Sequence, residues 1–453
     1  MKLVHLFSGL VLMIGIISCR PRTEIYQVGA DIRDSVFIYA KELYLWTENL
    51  PDIFTFKPKN FGTPEEVINS IRTYSPVIGG RRADRFSFVA RKIDWENASA
   101  GNRVDYGCGY RFLTPNDLRI SFVYANSAAG KKGIQRGWRL LKVNNIVPDT
   151  SASVLNQLNE ALFASNSVTI EFLKPNNTTE TITLTPENYS ANFVLHKQVL
   201  VTGGKKIAYL VLNAFLGANN GKATEEELTQ TFDFFASAGA DELVVDLRYN
   251  TGGYVYLAHH LCNLIAPASA NGQVMLQERW NERYKNFNST TKFNNPNPKL
   301  NLSRVVFITT SSTASASELV INALRPYMDV KIIGRATSGK PVGFPIVPII
   351  MNRTNPSANY VVAPVAFQSF NASGFGDYFN GLQPDKIQID DVSRNFGDPQ
   401  EACLQDAITF LTTGILQRSI SSERILQQPT HTNEKLQKED WGAFKMFEVK
   451  NNP

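Results

Sequence analysis

Cysteine and histidine are scarce in this chain of 453 residues, which has four cysteines and five histidines. The cysteines show no metal-binding spacing, and the adjacent His259 and His260 are not part of an HExxH motif. This scarcity argues against a zinc site and against a Ser-His-Asp triad. We therefore expect neither a metal ion nor another cofactor.

A large excess of one charge is also lacking. Lysine and arginine number 46 against 41 aspartate and glutamate residues, which gives a net charge of +5. No dense block of basic residues accompanies this small excess, so nucleic acid is not an expected partner. Hydrophobic residues make up 43% of the chain, enough for a sizeable core.

No apolar run is long enough to span a bilayer. The longest N-terminal run, from Leu6 to Ile17, is typical of a signal-peptide core. It ends in Ile16-Ile17-Ser18-Cys19, which resembles the lipobox of bacterial lipoproteins. We predict a signal peptide over residues 1–19, lipidation of Cys19, and an anchor in the cell envelope, on the outer membrane facing periplasm or exterior. An ordinary signal peptide with an incidental cysteine is the alternative.

Residues 20–103 are predicted to form a helical cap or docking domain. Val36, Tyr39, Leu43 and Trp46 have the three- or four-residue spacing of an amphipathic helix. The stretch "TPEEVINSIRTY" opens with a cap, a first-turn proline and an early acid, as helices do.

Short strands separated by Gly, Asn and Ser turns are predicted over residues 104–190. Their order resembles a PDZ domain, in which "GCGY", with Gly107, Gly109 and Tyr110, corresponds to the carboxylate-binding loop. The resemblance implies a groove that adds a peptide as a strand and holds its C-terminal carboxylate. A small β domain without a ligand is the alternative.

Strands and helices alternate over residues 191–416, which is typical of an α/β layer architecture. A polar tail follows over residues 417–453. The predicted fold class is therefore multidomain α+β, with an N-terminal helical cap, a PDZ-like β domain and an α/β core.

A serine-rich corner stands out within the α/β region. "SSTASASELV" (residues 311–320) lies between the apolar run "VVFI" and a helix-like segment. Ser315-x-x-Glu318 fits a helix capping box, and capping is the common use of such a pattern. Catalysis is the other use, with one serine exposed on a tight turn.

Lys340 stands in "GRATSGKP", which matches seven positions of a phosphate-binding P-loop. The eighth position is Pro341 rather than Ser or Thr, and a strand-like stretch follows, so we reject nucleotide binding. A lone lysine is usually solvated. A lysine that burial keeps neutral can instead take a proton from a serine.

Four motifs together resemble the C-terminal-processing (tail-specific) serine peptidases. They are "DLRYNTGG" (246–253), "TASASE" (313–318), "TSGK" (337–340) and "GLQPD" (381–385). The resemblance implies a crotonase/Clp-like catalytic core with Ser315 as nucleophile and Lys340 as base. It also implies an oxyanion hole from the N–H groups of Gly253 and Ala316, while Ser317 or Glu318 caps the helix.

One position departs from the family pattern. The family usually has a glutamine four residues after the lysine, and this chain has Phe344. We expect a cell-envelope serine endopeptidase that cleaves unstructured, apolar C-terminal tails of proteins or peptides through an acyl-enzyme. The alternative is a peptide-binding envelope lipoprotein whose peptidase core has lapsed.

Overall fold

The computed structural model describes residues 31–416 and 447–448. The predicted signal peptide with Cys19, and the predicted tail apart from residues 447–448, lie outside these described residues. Within the described ranges, none of the helices combines the length and apolar character needed to cross a membrane.

The N-terminal region is built from short helices that pack an apolar face inward. Asp31 and Thr63 cap the two longest of those before residue 80, and Pro64 occupies the first turn of the second. The helices are α1 (Ile32–Leu43), α2 (Ile53–Phe56), α3 (Pro64–Arg72) and α4 (Lys92–Ala100), with 3₁₀ turns at Thr47–Asn49 and Pro58–Asn60; the strands are β1 (Val77–Ile78), β2 (Arg81–Arg82) and β3 (Phe88–Arg91).

A five-stranded antiparallel sheet in the middle of the chain encloses a hydrophobic core of its own. Its strand order is β5-β6-β7-β8-β9, so β5 lies at an edge. The elements are β4 (Asn102–Asp105), β5 (Cys108–Thr114), β6 (Asp117–Val123), α5 (Ala128–Lys131), β7 (Arg139–Val143), α6 (Ala152–Asn159) with a π turn at Glu160–Ala164, β8 (Val168–Leu173), β9 (Thr179–Leu184) and β10 (Glu187–Ser190).

A six-stranded, mostly parallel sheet forms the α/β region. Alternate residues of β12 face opposite cores, because successive side chains of a strand point to opposite faces: Ala208 and Leu210 face one, Ile207 and Tyr209 the other. The elements are β11 (Val194–Thr202), β12 (Lys205–Leu212), α7 (Lys222–Ser237), β13 (Glu242–Asp246), α8 (Val255–Ile265), β16 (Arg304–Thr309), α9 (Ala316–Leu324), β17 (Asp329–Gly334), β22 (Lys386–Ile387) and α10 (Ala402–Thr413).

Further strands join the N-terminal region to the α/β region. Strand β3 pairs with β20, and the N-terminal helices share one continuous hydrophobic core with the sheet. These strands are β14 (Val274–Trp280), β15 (Ser289–Lys292), β18 (Val342–Pro345), β19 (Val347–Ile349), β20 (Tyr360–Ala363), β21 (Phe367–Asn371) and β23 (Phe447–Glu448), with 3₁₀ turns at Ala268–Ala270, Glu282–Phe287 and Pro356–Ala358.

The fold is a mixed α/β arrangement of several sheets, as the sequence predicts. The description of its parts as a PDZ domain and a crotonase/Clp-like core stays a prediction. Strands β13, β16 and β17 are parallel neighbours, so the loops that follow them leave the sheet at one edge. Those loops carry three of the four sequence motifs, and they meet at the site described next.

Candidate active site

Ser315 lies at the corner between β16 and α9 and is fully buried. Its backbone has φ of 63° and ψ of −116°, a conformation that residues other than glycine rarely adopt. A strained strand-to-helix turn is typical of nucleophile-bearing corners. Ser315 is also the N-cap residue of α9, so the capping and catalytic interpretations of the motif fall on the same residue.

The small hydroxyl side chains around Ser315 attach the corner to the loop that follows β13. Thr313 Oγ1 donates to the carbonyl of Leu247 at 2.8 Å, and Ser317 Oγ donates to the carbonyl of Asn250 at 3.0 Å. Ser317 therefore uses its hydroxyl to join two loops rather than to cap the helix. The short polar side chains of Thr313 and Ser317 therefore have a structural role in the corner.

Glu318 connects the serine corner to the segment that contains Lys340. Its Oε2 atom accepts hydrogen bonds from the backbone N–H of Ser315 at 2.7 Å and of Lys340 at 2.9 Å. Its Oε1 atom accepts from Thr337 Oγ1 at 2.5 Å and from Gly339 N at 2.7 Å. Because one oxygen atom binds the amides of both Ser315 and Lys340, these two backbones lie side by side. The carboxylate thus forms its half of the predicted capping box. It also fixes the loop between β17 and β18, residues 335–341, which we call the lysine loop.

The Lys340 side chain is buried, with 1% of its surface exposed, and its Nζ has no hydrogen-bond partner among the described residues. Nζ lies 4.2 Å from the ring centre of Phe344 and 5.2 Å from that of Phe86. Burial lowers the pKa of Lys340 well below its ordinary value, although the carboxylates of Asp84 and Glu318 oppose this shift. Such surroundings favour the neutral form of the amine.

The loop after β13 presents backbone N–H groups beside the corner. Ala314 N donates to the carbonyl of Asn250 at 3.1 Å, which docks the two loops together. Gly253 has φ of 142°, and a Cβ there would collide with the backbone of Phe215, so only glycine fits. In the described part of the chain, the amides of Gly253 and Ala316 donate to no other protein group. Both amides are therefore available to a ligand, and their role as an oxyanion hole stays a prediction.

The fourth motif closes the site from the far side of the lysine loop. Leu382 N donates to Thr337 Oγ1 at 2.7 Å, and Thr337 N donates to the carbonyl of Leu382 at 3.1 Å. All four motif segments are thus joined by hydrogen bonds around Ser315 and Glu318.

Comparison with known proteins identifies the α/β region. Residues 206–386 match the family model that is described as "Peptidase family S41". The chain contains a peptidase family S41 domain. A segment of 119 residues is 32% identical to the carboxy-terminal processing protease CtpA of Bacillus subtilis, over 26% of this chain and 24% of that protein. This chain thus matches about a quarter of the length of that curated relative.

A solved structure from Bacteroides fragilis that is assigned to the S41 proteases resembles a larger part of the chain. It superposes with a TM-score of 0.67 at 26% sequence identity, and the match covers 86% of this chain and 99% of that chain. The similarity therefore extends beyond the S41 domain into the regions that precede it.

The predicted peptide-binding residues lie in the middle sheet, outside the S41 domain. Gly107 has φ of 80°, and its carbonyl accepts from Tyr124 N at 2.9 Å, so it forms a turn just before β5. Gly109 and Tyr110 do not lie in the loop that the sequence predicts but within β5, where they pair with residues of β6. Tyr110 is nearly buried, and its ring packs edge-on against Phe163 with centroids 5.7 Å apart. The edge position of β5 is compatible with strand addition, and peptide binding there stays a prediction.

The sequence interpretation missed the contribution of the N-terminal region to the S41 domain. Asp84, Arg85 and Phe86 come within reach of the lysine loop, although they precede it by most of the chain. The available signal was the order Asp-x-x-Ser in "DRFS", since an aspartate often accepts from the amides two and three residues on. That signal predicts a turn and gives no direction toward the site.

Proposed function

We propose that the protein is a serine endopeptidase of the C-terminal-processing type that acts through a Ser315–Lys340 dyad. The observation that carries the proposal is the burial of Lys340 beside the strained Ser315 corner, with both backbones held by one carboxylate oxygen of Glu318. Burial favours the neutral amine, which is the form able to accept a proton.

In the proposed mechanism, Lys340 Nζ takes the hydroxyl proton of Ser315 as Oγ forms a bond to the substrate carbonyl carbon. The N–H groups of Gly253 and Ala316 donate to the negative carbonyl oxygen, and two such donors stabilise this charge by several kcal/mol. The C–N bond then breaks, and the leaving amine receives the proton from Lys340. Lys340 Nζ, neutral again, then takes a proton from a water molecule that attacks the acyl carbon. The bond from that carbon to Ser315 Oγ breaks, and Oγ takes the proton back from Lys340, which regenerates the free serine.

The proposed substrates are proteins or peptides with unstructured, apolar C-terminal tails. The edge strand β5 supports this proposal, since a peptide can add to it as a further strand. The amides of Gly107, just before β5, and of Gly109 and Tyr110, at the start of that strand, would hold the terminal carboxylate. The name of the Bacillus subtilis relative, a carboxy-terminal processing protease, agrees with this substrate class.

The proposed location is the cell envelope, with a lipid on Cys19 as the anchor and the outer membrane as the site. Support comes from the lipobox-like end of the N-terminal apolar segment. Membrane fractionation of cells expressing wild type and Cys19→Ala tests it. Wild type should pellet with the membranes, and the variant should be released or retained as an unprocessed precursor.

The catalytic proposal predicts that Ser315→Ala abolishes both turnover and labelling of the enzyme by a fluorophosphonate. Purified wild type, Ser315→Ala and Ser311→Ala are compared for digestion of β-casein and for labelling. Ser311 lies in the same corner, and its hydroxyl makes no hydrogen bond within the described residues, so Ser311→Ala is the matched control. Residual turnover of Ser315→Ala equal to that of wild type would contradict the assignment.

A lapsed peptidase that only binds peptides is the second candidate. Phe344 favours it, because a buried aromatic ring at 4.2 Å from Lys340 Nζ occupies the position of the glutamine usual in the family. In that case wild type stays unlabelled and inert, yet binds peptides with apolar C-termini in a fluorescence-anisotropy titration.

A further inference from the structure

A turn of the N-terminal region, residues 84–87, lies directly on the lysine loop. The guanidinium Nη2 of Arg85 donates to the carbonyls of Ser338 at 3.2 Å and Gly339 at 3.3 Å, and reaches the carbonyl of Phe379 at 3.5 Å. One side chain thus fixes the backbone just before Lys340 and the segment that packs beside it.

The next residue of the turn covers the lysine side chain. The ring centre of Phe86 lies 5.2 Å from Lys340 Nζ, and the ring of Phe344 lies 4.2 Å from it. Phe344 follows Lys340 closely in sequence, whereas Phe86 belongs to another region of the chain. The dry environment of the amine is therefore assembled from two separate segments.

The turn itself is rigidly held. The Asp84 carboxylate accepts from the backbone N–H groups of Phe86 and Ser87 at 2.9 Å each, and from Tyr44 Oη at 2.9 Å. Ser87 Oγ in turn accepts from Val365 N at 2.9 Å. These bonds connect the turn both to the N-terminal helices and to the strand region of the core.

We propose that residues 84–87 are a positioning element of the catalytic site, in which Phe86 keeps water away from the Lys340 amine and Arg85 holds the lysine loop. This inference rests on the proposed peptidase function. It gives the N-terminal region a part in the chemistry, beyond that of a cap or docking domain.

Two effects of the Phe86 ring on Lys340 oppose each other. The ring excludes water, which favours the neutral amine, and its face attracts a cation, which favours the charged form. Burial is the largest cause of the lowered pKa of Lys340, so loss of the ring should raise that pKa. The charged groups near the amine are the carboxylates of Asp84 and Glu318, which raise the pKa, and the guanidinium of Arg85 on the neighbouring carbonyls.

The test is the pH dependence of kcat/KM for wild type, Phe86→Leu and Phe86→Ala. We expect the acid limb of the profile to move upward by about one pH unit in Phe86→Ala and by less in Phe86→Leu. On that limb the alanine variant should be about tenfold slower than wild type. Phe56→Leu is the matched control, because Phe56 is a buried aromatic residue of the same region with the same 9% exposure. Its profile should not move.

Arg85→Gln provides a second measurement, with Arg82→Gln as its control. Arg82 is exposed, and among the described residues its guanidinium donates to the carbonyl of Ser75 and to no carbonyl of the lysine loop, so the control removes the same charge without touching that loop. We expect Arg85→Gln to lower kcat about tenfold or more with little change in KM, since the loop geometry is loosened. Thermal unfolding of each variant shows whether it is folded.

The outcomes separate the two proposals. Turnover in wild type that does not depend on Ser315 overturns the peptidase assignment and this inference with it. Turnover that does depend on Ser315, with unchanged pH profiles in both Phe86 variants and unchanged kcat in Arg85→Gln, overturns only the role of residues 84–87. If Phe86→Ala does not fold, the profile of Phe86→Leu decides.

Discussion

At the scale of single residues, the central feature is a buried lysine whose amine bonds to no counter-ion among the described residues. Lys340 Nζ has no hydrogen-bond partner in the described ranges, and two aromatic rings approach it. Burying an unpaired polar group costs about 1–3 kcal/mol in proteins. The proposed base catalysis requires a neutral amine at this position, so the proposal predicts that stability and activity are in conflict at Lys340.

Lys340→Met should therefore stabilise the fold by about 1–3 kcal/mol at pH 7 while removing turnover. The folded-state pKa of Lys340 lies below the unfolded value near 10.5, so the unfolded chain binds more protons in between. Wild type consequently gains stability as pH rises through that window, and the advantage of the variant shrinks toward pH 10.5. Urea unfolding at several pH values between 7 and 10 measures the difference in unfolding free energy between Lys340→Met and wild type.

A lysine-to-methionine change on the surface controls for loss of charge alone. Lys292 is exposed on β15, so Lys292→Met should not stabilise the fold to a comparable extent. If Lys340→Met is less stable than wild type at pH 7, the amine is charged and paired in solution, and its role as a base is refuted.

At the scale of elements, the site depends on how one strand-to-helix corner is attached to its neighbour. The loops after β13, β16 and β17 meet at the carboxyl edge of the sheet, but the edge alone only brings them near one another. Side-chain hydroxyls donating to backbone carbonyls then set the spacing. Thr313 and Ser317 are therefore structural partners of Ser315.

Thr313→Val should separate these two loops slightly without changing the volume of the corner. The hydroxyl that is lost donates to the buried carbonyl of Leu247 and accepts from Thr310 N at 3.0 Å. Leaving the carbonyl without its donor should cost about 1–3 kcal/mol of stability. A misplaced Ser315 should lower kcat about ten- to hundredfold.

Differential scanning fluorimetry and single-turnover acylation measure these two effects. The chain supplies the control in Ser311→Ala, which removes a neighbouring hydroxyl that bonds to no described group. Equal acylation rates in Thr313→Val and wild type would show that the hydrogen bond to Leu247 does not set the position of Ser315.

At the scale of the whole molecule, a buried ion cluster connects the middle sheet to the S41 domain. Asp390 Oδ2 pairs with Arg111 Nε at 2.9 Å, and its Oδ1 pairs with Arg136 at 2.9 Å and with Arg248 at 2.8 Å. We call this the Asp390 cluster; its six charged members, three acidic and three basic, are Asp246, Asp390, Glu401, Arg111, Arg136 and Arg248.

Asp390→Asn should loosen the connection between the two regions. Burial alone would raise the pKa of Asp390, but the charges of Arg136, Arg248 and Arg111 hold it well below its ordinary value. Removing one charge from a buried network leaves its partners uncompensated and costs about 3–5 kcal/mol. The cost should be full above the unfolded pKa of 3.8 and should shrink as pH falls below it, because wild type then becomes protonated as it unfolds.

Denaturant unfolding at pH 7 and at acidic pH measures this difference, and limited proteolysis shows whether the middle sheet is released. Asp117→Asn is the control, because Asp117 is partly exposed and pairs with Arg119 and Arg139 within the middle sheet. A stability loss of Asp390→Asn no larger than that of the control would show that the cluster does not hold the regions together.

Local patterns carried much of the fold. The start of α3 at Thr63 and Pro64 follows from capping preferences, and the strands of the sheet follow from short apolar runs. The structure brings the backbone amides of Ser315 and Lys340 to one carboxylate oxygen of Glu318, and their roles as nucleophile and base stay a prediction. The Phe86 contact and the Asp390 cluster could not be predicted, because each joins residues far apart in the chain with no periodic signal.

The sequence by itself determined which residues can do chemistry, since a serine in a strand-to-helix corner and a lysine after Ser-Gly are properties of local chain order. Only the tertiary structure decided the direction in which the pKa of that lysine is shifted. A pKa depends on how far water reaches a group and on the charges around it. Here the rings of Phe86 and Phe344 cover the amine and the carboxylate of Glu318 supplies charge. These three residues belong to three separate segments of the chain. The function proposed for Lys340 therefore requires the residue type that one motif supplies and the surroundings that the whole fold supplies.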